Sequence, residues 1–231
     1  NRKTGIFRLI RISVNYNYGG IDTGMKLSIQ LYSLRAESEK DFVGVLEYVA
    51  KLGFQGVEFA GYYGLSAEEI RAHLDRLGLV CSSTHTPAPD VFEKTEETIA
   101  INKTLGCKYV IVPWYEIPDA AAASLAEKFL AVKEKFAENG LVLGYHNHGA
   151  EFNKENDTYL LDTLMAKTNR EIVMELDTYW SAQAGVNTPQ YMLDHQGILP
   201  LIHLKDGDGE NLTSIGEGKI DIQKVLDTAK A

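Results

Sequence analysis

Apolar residues along the chain fall into short, nearly unbroken runs. These alternate with longer stretches in which apolar positions recur every three or four residues. The runs are rich in β-branched residues and read as strands buried on both faces. Strands are expected at 26–34, 56–60, 79–85, 109–113, 141–148, 172–179 and 199–205. The periodic stretches read as helices near 41–52, 66–77, 90–105, 119–139, 158–167, 188–195 and 221–230. In the first of these, Phe42, Val45, Leu46, Val49 and Leu52 fall on one helical face.

Local signals mark the boundaries. Ser38 with Asp41 and Ser66 with Glu69 have the spacing of capping boxes. Thr188 before Pro189 reads as an N-cap followed by a proline at the first helical position. "KLGF" (51–54), "RLGL" (76–79), "TLGC" (104–107) and "ENGL" (138–141) each place a glycine between a helix and the next strand. There the left-handed conformation costs glycine little. Strand and helix alternate seven times, the pattern of parallel strands joined by helical crossovers. An open doubly wound sheet and a closed (β/α)8 barrel share it. No G-x-G-x-x-G follows the first strand, and polar residues stand at nearly every strand end, which favours the barrel. The expected fold is α/β, a (β/α)8 TIM barrel truncated before strand eight, since the chain stops after the seventh helix.

Composition narrows the function. An apolar content of 45% is ample for a core, and no run of about 18 apolar residues is present to span a membrane. Lys and Arg number 23 against 32 Asp and Glu, for a net charge of −9. That balance argues against a nucleic-acid surface and suits a small ligand. Cys81 and Cys107 form no C-x-x-C and read as reduced core residues of a cytoplasmic protein. Residues 1–24 carry four basic residues and one acid, with an apolar stretch broken by arginines. They are expected to be a non-native or disordered extension, with the domain running from Met25 to Ala231.

In such a barrel the C-terminal strand ends hold the site. They offer Gln30, Glu58, His85, His146 and His148, Glu175 and Asp177, then His203 and Lys205. A period of two puts each of the last three pairs on one face of its strand. Imidazoles and carboxylates aimed at one point suit Mn²⁺, Zn²⁺, Co²⁺ or Fe²⁺, whereas Mg²⁺ prefers oxygen alone. His73 and His195 fall in helices and are expected to be solvated. Trp114 and Trp180 stand at strand ends, where rim packing and sugar stacking are both open. Glu151 follows His148 closely enough to orient it.

"GVEFAGYYG", "GYHNHGAEF", "ELDTYW", "HLKD" and "GEGKID", in this order, resemble the xylose isomerase-like TIM barrels known as sugar phosphate isomerases/epimerases, of the AP endonuclease family 2 superfamily. The resemblance runs from Met25 to the end. It implies one divalent ion held by a Glu on strand five, an Asp on strand six, a His on strand seven and a Glu on strand eight. Asp177 and His203 match the middle two. His146 stands where the family has the strand-five Glu, and Glu175 is placed to compensate. The strand-eight Glu has no counterpart, Glu217 being the nearest carboxylate left.

The expected metal ligands are therefore His146, Glu175, Asp177 and His203, with Mn²⁺ first and Zn²⁺, Co²⁺ or Mg²⁺ as alternatives. The expected function is a metal-dependent sugar or keto-sugar isomerase/epimerase. It would abstract a proton next to a carbonyl and stabilise the enediolate on the metal. Glu175 and His148 are the candidate proton carriers; Gln30, Glu58, His85, Lys205 and Trp180 would hold substrate. A dehydratase or eliminase on 3-keto sugars or inosose is the close alternative. An abasic-site nuclease would need three zincs and a basic groove. A non-catalytic sugar-binding barrel or inactive fragment is the alternative of another class. Expected partners are a small sugar, neither nucleic acid nor membrane, and a second copy that would cover the open barrel edge as a homodimer.

Overall fold

The computed structural model describes residues 12–15, 25–116 and 121–230. Its strands are β1 (Ile12–Asn15), β2 (Lys26–Gln30), β3 (Gly56–Phe59), β4 (Val80–His85), β5 (Tyr109–Val112) and β6 (Val142–His146). After a small hairpin, β7 (Lys154–Glu155) with β8 (Thr158–Tyr159), come β9 (Val173–Asp177) and β10 (Leu201–Leu204). A second small hairpin, β11 (Asp206–Gly207) with β12 (Leu212–Thr213), follows. β2, β3, β4, β5, β6, β9 and β10 are parallel and adjacent in that order, the seven strands expected of the barrel.

β1 runs antiparallel between β2 and β10 and closes the ring. Without it, both flanking strands would present unpaired N–H and C=O groups along an edge. The expected gap in place of an eighth strand is thus filled from within 1–24. Ile12–Asn15 belong to the barrel wall, not to a disordered extension. The remaining residues of 1–24 lie outside the described residues.

The helices are α1 (Arg35–Lys51), α2 (Ala67–Leu77), α3 (Ala88–Glu93), α4 (Thr95–Leu105), α5 (Ala121–Glu138), α6 (Leu160–Lys167), α7 (Thr178–Gln183), α8 (Thr188–Asp194) and α9 (Ile222–Lys230). Among the described residues no helix is long and apolar enough to cross a membrane. The Ser66/Glu69 capping box is present, and Gly78 (φ 67°) and Gly106 (φ 68°) end their helices in the left-handed conformation.

Elsewhere the local chemistry resolves differently from the expectation. Ser38 lies inside α1, and Asp41, at non-helical φ −157° and ψ 82°, caps the second half by accepting from Gly44 N at 2.9 Å. β2 gives way at Leu31 to a 3-10 turn, so the strand read as 26–34 ends at Gln30. The helix read as 90–105 breaks at Lys94 (φ −118°, ψ 42°) into α3 and α4. Asn187, not Thr188, caps α8. The strand read to 179 ends at Asp177, whose carboxylate accepts from Tyr179 N and Trp180 N and so starts α7.

Outward residues of the strands pack under the helices in two groups. Val57, Phe59 and Cys81 join Leu46, Ile70 and Leu74 on the side of α1 and α2. Leu143, Met174 and Ile202 join Phe129, Leu164 and Met192 on the other. Inward residues form two layers. Tyr109, Ile111 and Leu201, with Val142 and Val173 against them, fill the lower interior. Gly144 completes that layer because a Cβ there would lie 2.5 Å from Ile111 Cδ1 and 2.9 Å from Val173 O. Two residues further along the strands, the interior becomes ionisable.

The loop after β10 is organised by one buried carboxylate. Asp206 accepts from Gly207 N at 2.8 Å, Gly216 N and Gly218 N at 2.9 Å, and Ile220 N at 3.2 Å. Asp206→Ala would strand these donors and is expected to cost about 2–3 kcal/mol, with Asp206→Asn costing less because one acceptor oxygen survives. Urea unfolding of the two variants checks the ordering.

Candidate metal centre

The sequence places ionisable residues at the last inward positions of β3, β4, β6, β9 and β10, and the barrel brings them together. Glu58 stands one residue before the end of β3, His85 ends β4, His146 ends β6, Glu175 and Asp177 lie on β9, and His203 lies on β10. Cross-strand register sets His146 beside Glu175 and His203 beside Asp177. His85 Nε2 lies 2.6 Å from Glu175 Oε2 and 3.1 Å from Glu58 Oε1. His203 Nε2 lies 2.9 Å from Glu58 Oε1 and 3.3 Å from Glu175 Oε2. His146 Nδ1 lies 3.4 Å from Glu175 Oε2, and its Nε2 lies 3.8 Å from Asp177 Oδ2. One potential ligand atom from each of His85, His146, Glu175 and His203 falls within 4.8 Å of the others.

The donor set fits a divalent cation. His146 is 1% exposed, and neither of its ring nitrogens makes a hydrogen bond. Buried polar atoms are rarely left so, and a cation would supply the missing partner. Burial, followed by the neighbouring imidazoles of His203 and His85, holds His146 well below the usual histidine range. It is therefore neutral, the form that ligates metal. Burial also raises the Glu175 carboxyl well above its usual range, and the charges of Glu58 and Asp177 add to this. For Glu58, burial acts upward, but the facing His85 and His203 outweigh it and hold the group well below. Two carboxyls in one pocket thus divide into an anion and a proton carrier, as like charges at short range must.

Residues behind this layer fix it in place. Ser83 Oγ donates to Glu58 Oε2 at 2.5 Å. Gln30 bonds His85 Nδ1 at 3.0 Å through its amide, leaving Nε2 to face the carboxylates. Asn147 Oδ1 accepts from Asp177 N at 3.0 Å, tying β6 to β9 at their mouths. Thr178 Oγ1 donates towards Lys205 O at 2.8 Å and accepts from Lys205 N at 2.9 Å. Glu151 accepts from Tyr145 OH at 2.7 Å and from His148 N at 2.8 Å, which holds the turn that carries His148.

The expected site residues take up differentiated places. His146, Glu175 and His203 join the cluster. His85, read as a substrate group, joins it too. Asp177 lies at its edge, where its Oδ2 stands 2.5 Å from Lys205 Nζ, so Lys205 is paired with a carboxylate in the buried layer. Glu58 is fully buried against His203, Ser83 and His85. Trp180 covers Lys205 Nζ at 5.8 Å and lies 5.6 Å from His148. His148 sits with its ring 5.0 Å from that of His146 and, with Gln30, His85 and His146, lines a cavity of about 630 Å³.

Ser83, Asn147 and Thr178 were not singled out from the sequence. Their only signal there is position, since each is a polar residue next to or among the strand-end groups. His195, expected to be solvated, is 8% exposed, with Nδ1 2.9 Å from Tyr191 O and Nε2 3.1 Å from Asp162.

A family model described as xylose isomerase-like TIM barrel matches residues 46–231. No curated protein matches the chain in sequence. Among solved structures, a sugar phosphate isomerase/epimerase from Parabacteroides distasonis superposes with a TM-score of 0.77 at 23% identity, over 93% of this chain and 85% of that one. The probable 3-DHS dehydratase AsbF from Bacillus anthracis gives 0.69 at 12% identity, over 89% of each chain. The 3-keto-D-glucoside 4-epimerase YcjR from E. coli gives 0.60 at 13% identity, over 83% of this chain and 82% of that one. At these identities the likeness is one of fold.

Glu175 supplies a prediction with a definite sign. Its folded-state pKa lies above the unfolded value, so the stability linked to its proton is present below the usual carboxylate range. That stability is lost as pH rises towards the folded value. Glu175→Gln keeps the neutral shape and removes the dependence. In chelator, the variant is expected to melt increasingly above the native chain as pH rises from about 5 to 8. It is also expected to bind divalent metal at least about tenfold more weakly. Thermal melts and metal titration check both.

Proposed function

The chain belongs to the xylose isomerase-like TIM barrel family, and from that membership we propose that it is a divalent-metal-dependent isomerase or epimerase acting on a sugar or keto-sugar. One observation carries the reading. Three imidazoles and a carboxylate converge at the C-terminal mouth of the barrel, two of them (His85 and His146) on the floor of its cavity. Among TIM-barrel enzymes that face is where chemistry takes place.

His85, His146, Glu175 and His203 would hold the ion, with Asp177 at the edge of the set. Three imidazoles move the metal preference from Mn²⁺ towards Zn²⁺, Co²⁺ or Fe²⁺. When bound, such an ion supplies Lewis-acid polarisation of a carbonyl and lowers the barrier to removing the neighbouring C–H proton. His148 is the group placed to take that proton. It lines the cavity, stands beside His146, and is held by Glu151 through its backbone rather than through its ring. Gln30 reaches the same cavity from β2 and can meet a hydroxyl. Lys205, beside Asp177 and under Trp180, adds a buried cation next to the cluster.

Loss of a β-leaving group after the same proton removal would make the protein a dehydratase or eliminase. The fold likeness to both a dehydratase and a 3-keto-glucoside epimerase favours keeping that reaction as the second reading. A small sugar is the proposed partner, since a net charge of −9 opposes nucleic acid. The buried free cysteines Cys81 and Cys107 suit a reducing, cytoplasmic setting.

The test is exchange of the C–H proton next to the carbonyl in D₂O, followed by NMR on a panel of ketoses and 3-keto sugars. The metal-loaded chain is expected to exchange it and the chelated chain is not; no exchange with any of them would overturn the reading. His148→Ala should slow exchange by about 10²–10⁴-fold while metal content by mass spectrometry stays unchanged. His203→Ala should lose both.

A further inference from the structure

The cavity at the barrel mouth is far larger than its metal-facing end requires. Its roughly 630 Å³ lies within the range that encloses drug-sized ligands, about 300–1,000 Å³, and a single hexose fills only part of that. From His85 and His146 the space runs sideways over β4 and β5 to the first turns of α3 and α4. The inner end is polar and ionisable. Towards α3 and α4 the lining adds Trp114, Pro87 and Ile101, and Tyr32 lines the same cavity from the turn after β2.

Two features of that outer end point to its occupant. The first is aromatic. Trp114 is 60% exposed and Tyr32 44% exposed, the most open aromatic rings among the described residues. Both rings stand on the wall of one cavity, and an open indole offers a ligand a broad apolar face, on which the C–H face of a pyranose can pack, beside a polar N–H. The second is charge. Asp90, Lys94 and Glu97 are the non-histidine charged residues among the described lining. Lys94 Nζ is paired with Asp90 at 2.8 Å. Glu96 and Glu97 stand in the first turn of α4, where unpaired N–H groups would otherwise welcome a phosphate. No described arginine lines the space, Arg35 being stacked on the Tyr32 ring at 4.5 Å and bonded to Tyr32 O instead. A phosphoryl group entering here would find its one lining lysine already paired to Asp90 and the acidic Glu97 beside it.

We infer that the outer half of the cavity is a subsite for a second, uncharged sugar ring stacked on Trp114, so that the substrate is a neutral glycoside and not a sugar phosphate. This rests on the reading of the inner end as the reacting centre. The reacting ring would lie at the cluster, and its glycosidic substituent would extend towards α3 and α4. The size of the cavity and the acidity of its far wall then have one explanation.

Isothermal titration on the full metal-loaded chain tests the inference, with glucose, maltose, cellobiose and glucose 6-phosphate as probes. At least one disaccharide is expected to bind roughly tenfold more tightly than glucose, about 1.4 kcal/mol, and glucose 6-phosphate no more tightly than glucose. Trp114→Ala should bring the disaccharide-to-glucose ratio close to one, and Trp114→Tyr should keep most of it. Tightest binding by glucose 6-phosphate, no disaccharide preference, or a preference that survives Trp114→Ala would each overturn the subsite. Metal content measured on the same samples separates the two claims. A chain that holds no metal but keeps a Trp114-dependent preference refutes the proposed reaction and upholds the subsite. A chain that holds metal but shows no preference refutes the subsite alone.

Discussion

Glu58, His85, His146, Glu175, Asp177, His203 and Lys205 lie together in the upper layer of the barrel interior, almost fully removed from water. Burying charge costs several kcal/mol per ion unless partners offset it. Each group here therefore depends on the state of its neighbours. Glu58 stays ionised because two imidazoles face it, Glu175 keeps a proton because burial and then two facing carboxylates favour its neutral form, and Lys205 is matched to Asp177. His146 is the member for which the protein supplies no hydrogen-bond partner. Metal binding would release the Glu175 proton and give His146 a partner in one step, which couples metal affinity to pH.

The rest of the fold is arranged to hold that layer still. The apolar layer beneath it, with Gly144 admitting Ile111 and Val173, closes the barrel floor against water. Asn147 and Thr178 stitch the mouths of β6, β9 and β10 together. Asp206 fixes the loop that follows Lys205 by gathering four backbone donors. β1 fills the last place in the ring. Its antiparallel direction matters little for closure, because what the flanking strands lack is hydrogen-bond partners, and either direction supplies them.

The parallel barrel was legible in the chain because its strands are apolar on both faces and the glycines after its helices punctuate each unit. Period two was enough to set Glu175 with Asp177 on one side of β9. The helical turns of Arg35–Lys40 ahead of Asp41 and the break at Lys94 were not legible, since a short polar turn carries little apolar periodicity and a kink keeps that of a continuous helix. The role of β1 was hidden by the basic residues ahead of it and by the lack of any pairing signal in four residues.

For the site, sequence supplied the inventory and most of the convergence. It could not rank the members. Whether His85 faces substrate or metal, and whether Asp177 serves a cation or Lys205, depends on ångström-scale placement that no spacing encodes. The exposed ring of Trp114 likewise became informative only once a cavity was found beside it.

The account stands on the identity of the ligands around a bound ion. X-ray absorption on the Co²⁺-loaded chain reads that shell directly. Three imidazole nitrogens and carboxylate oxygen at about 2.0–2.2 Å are the predicted result. A shell of oxygen alone, without imidazole scattering, would contradict the assignment of His85, His146 and His203 as ligands and with it the proposed centre.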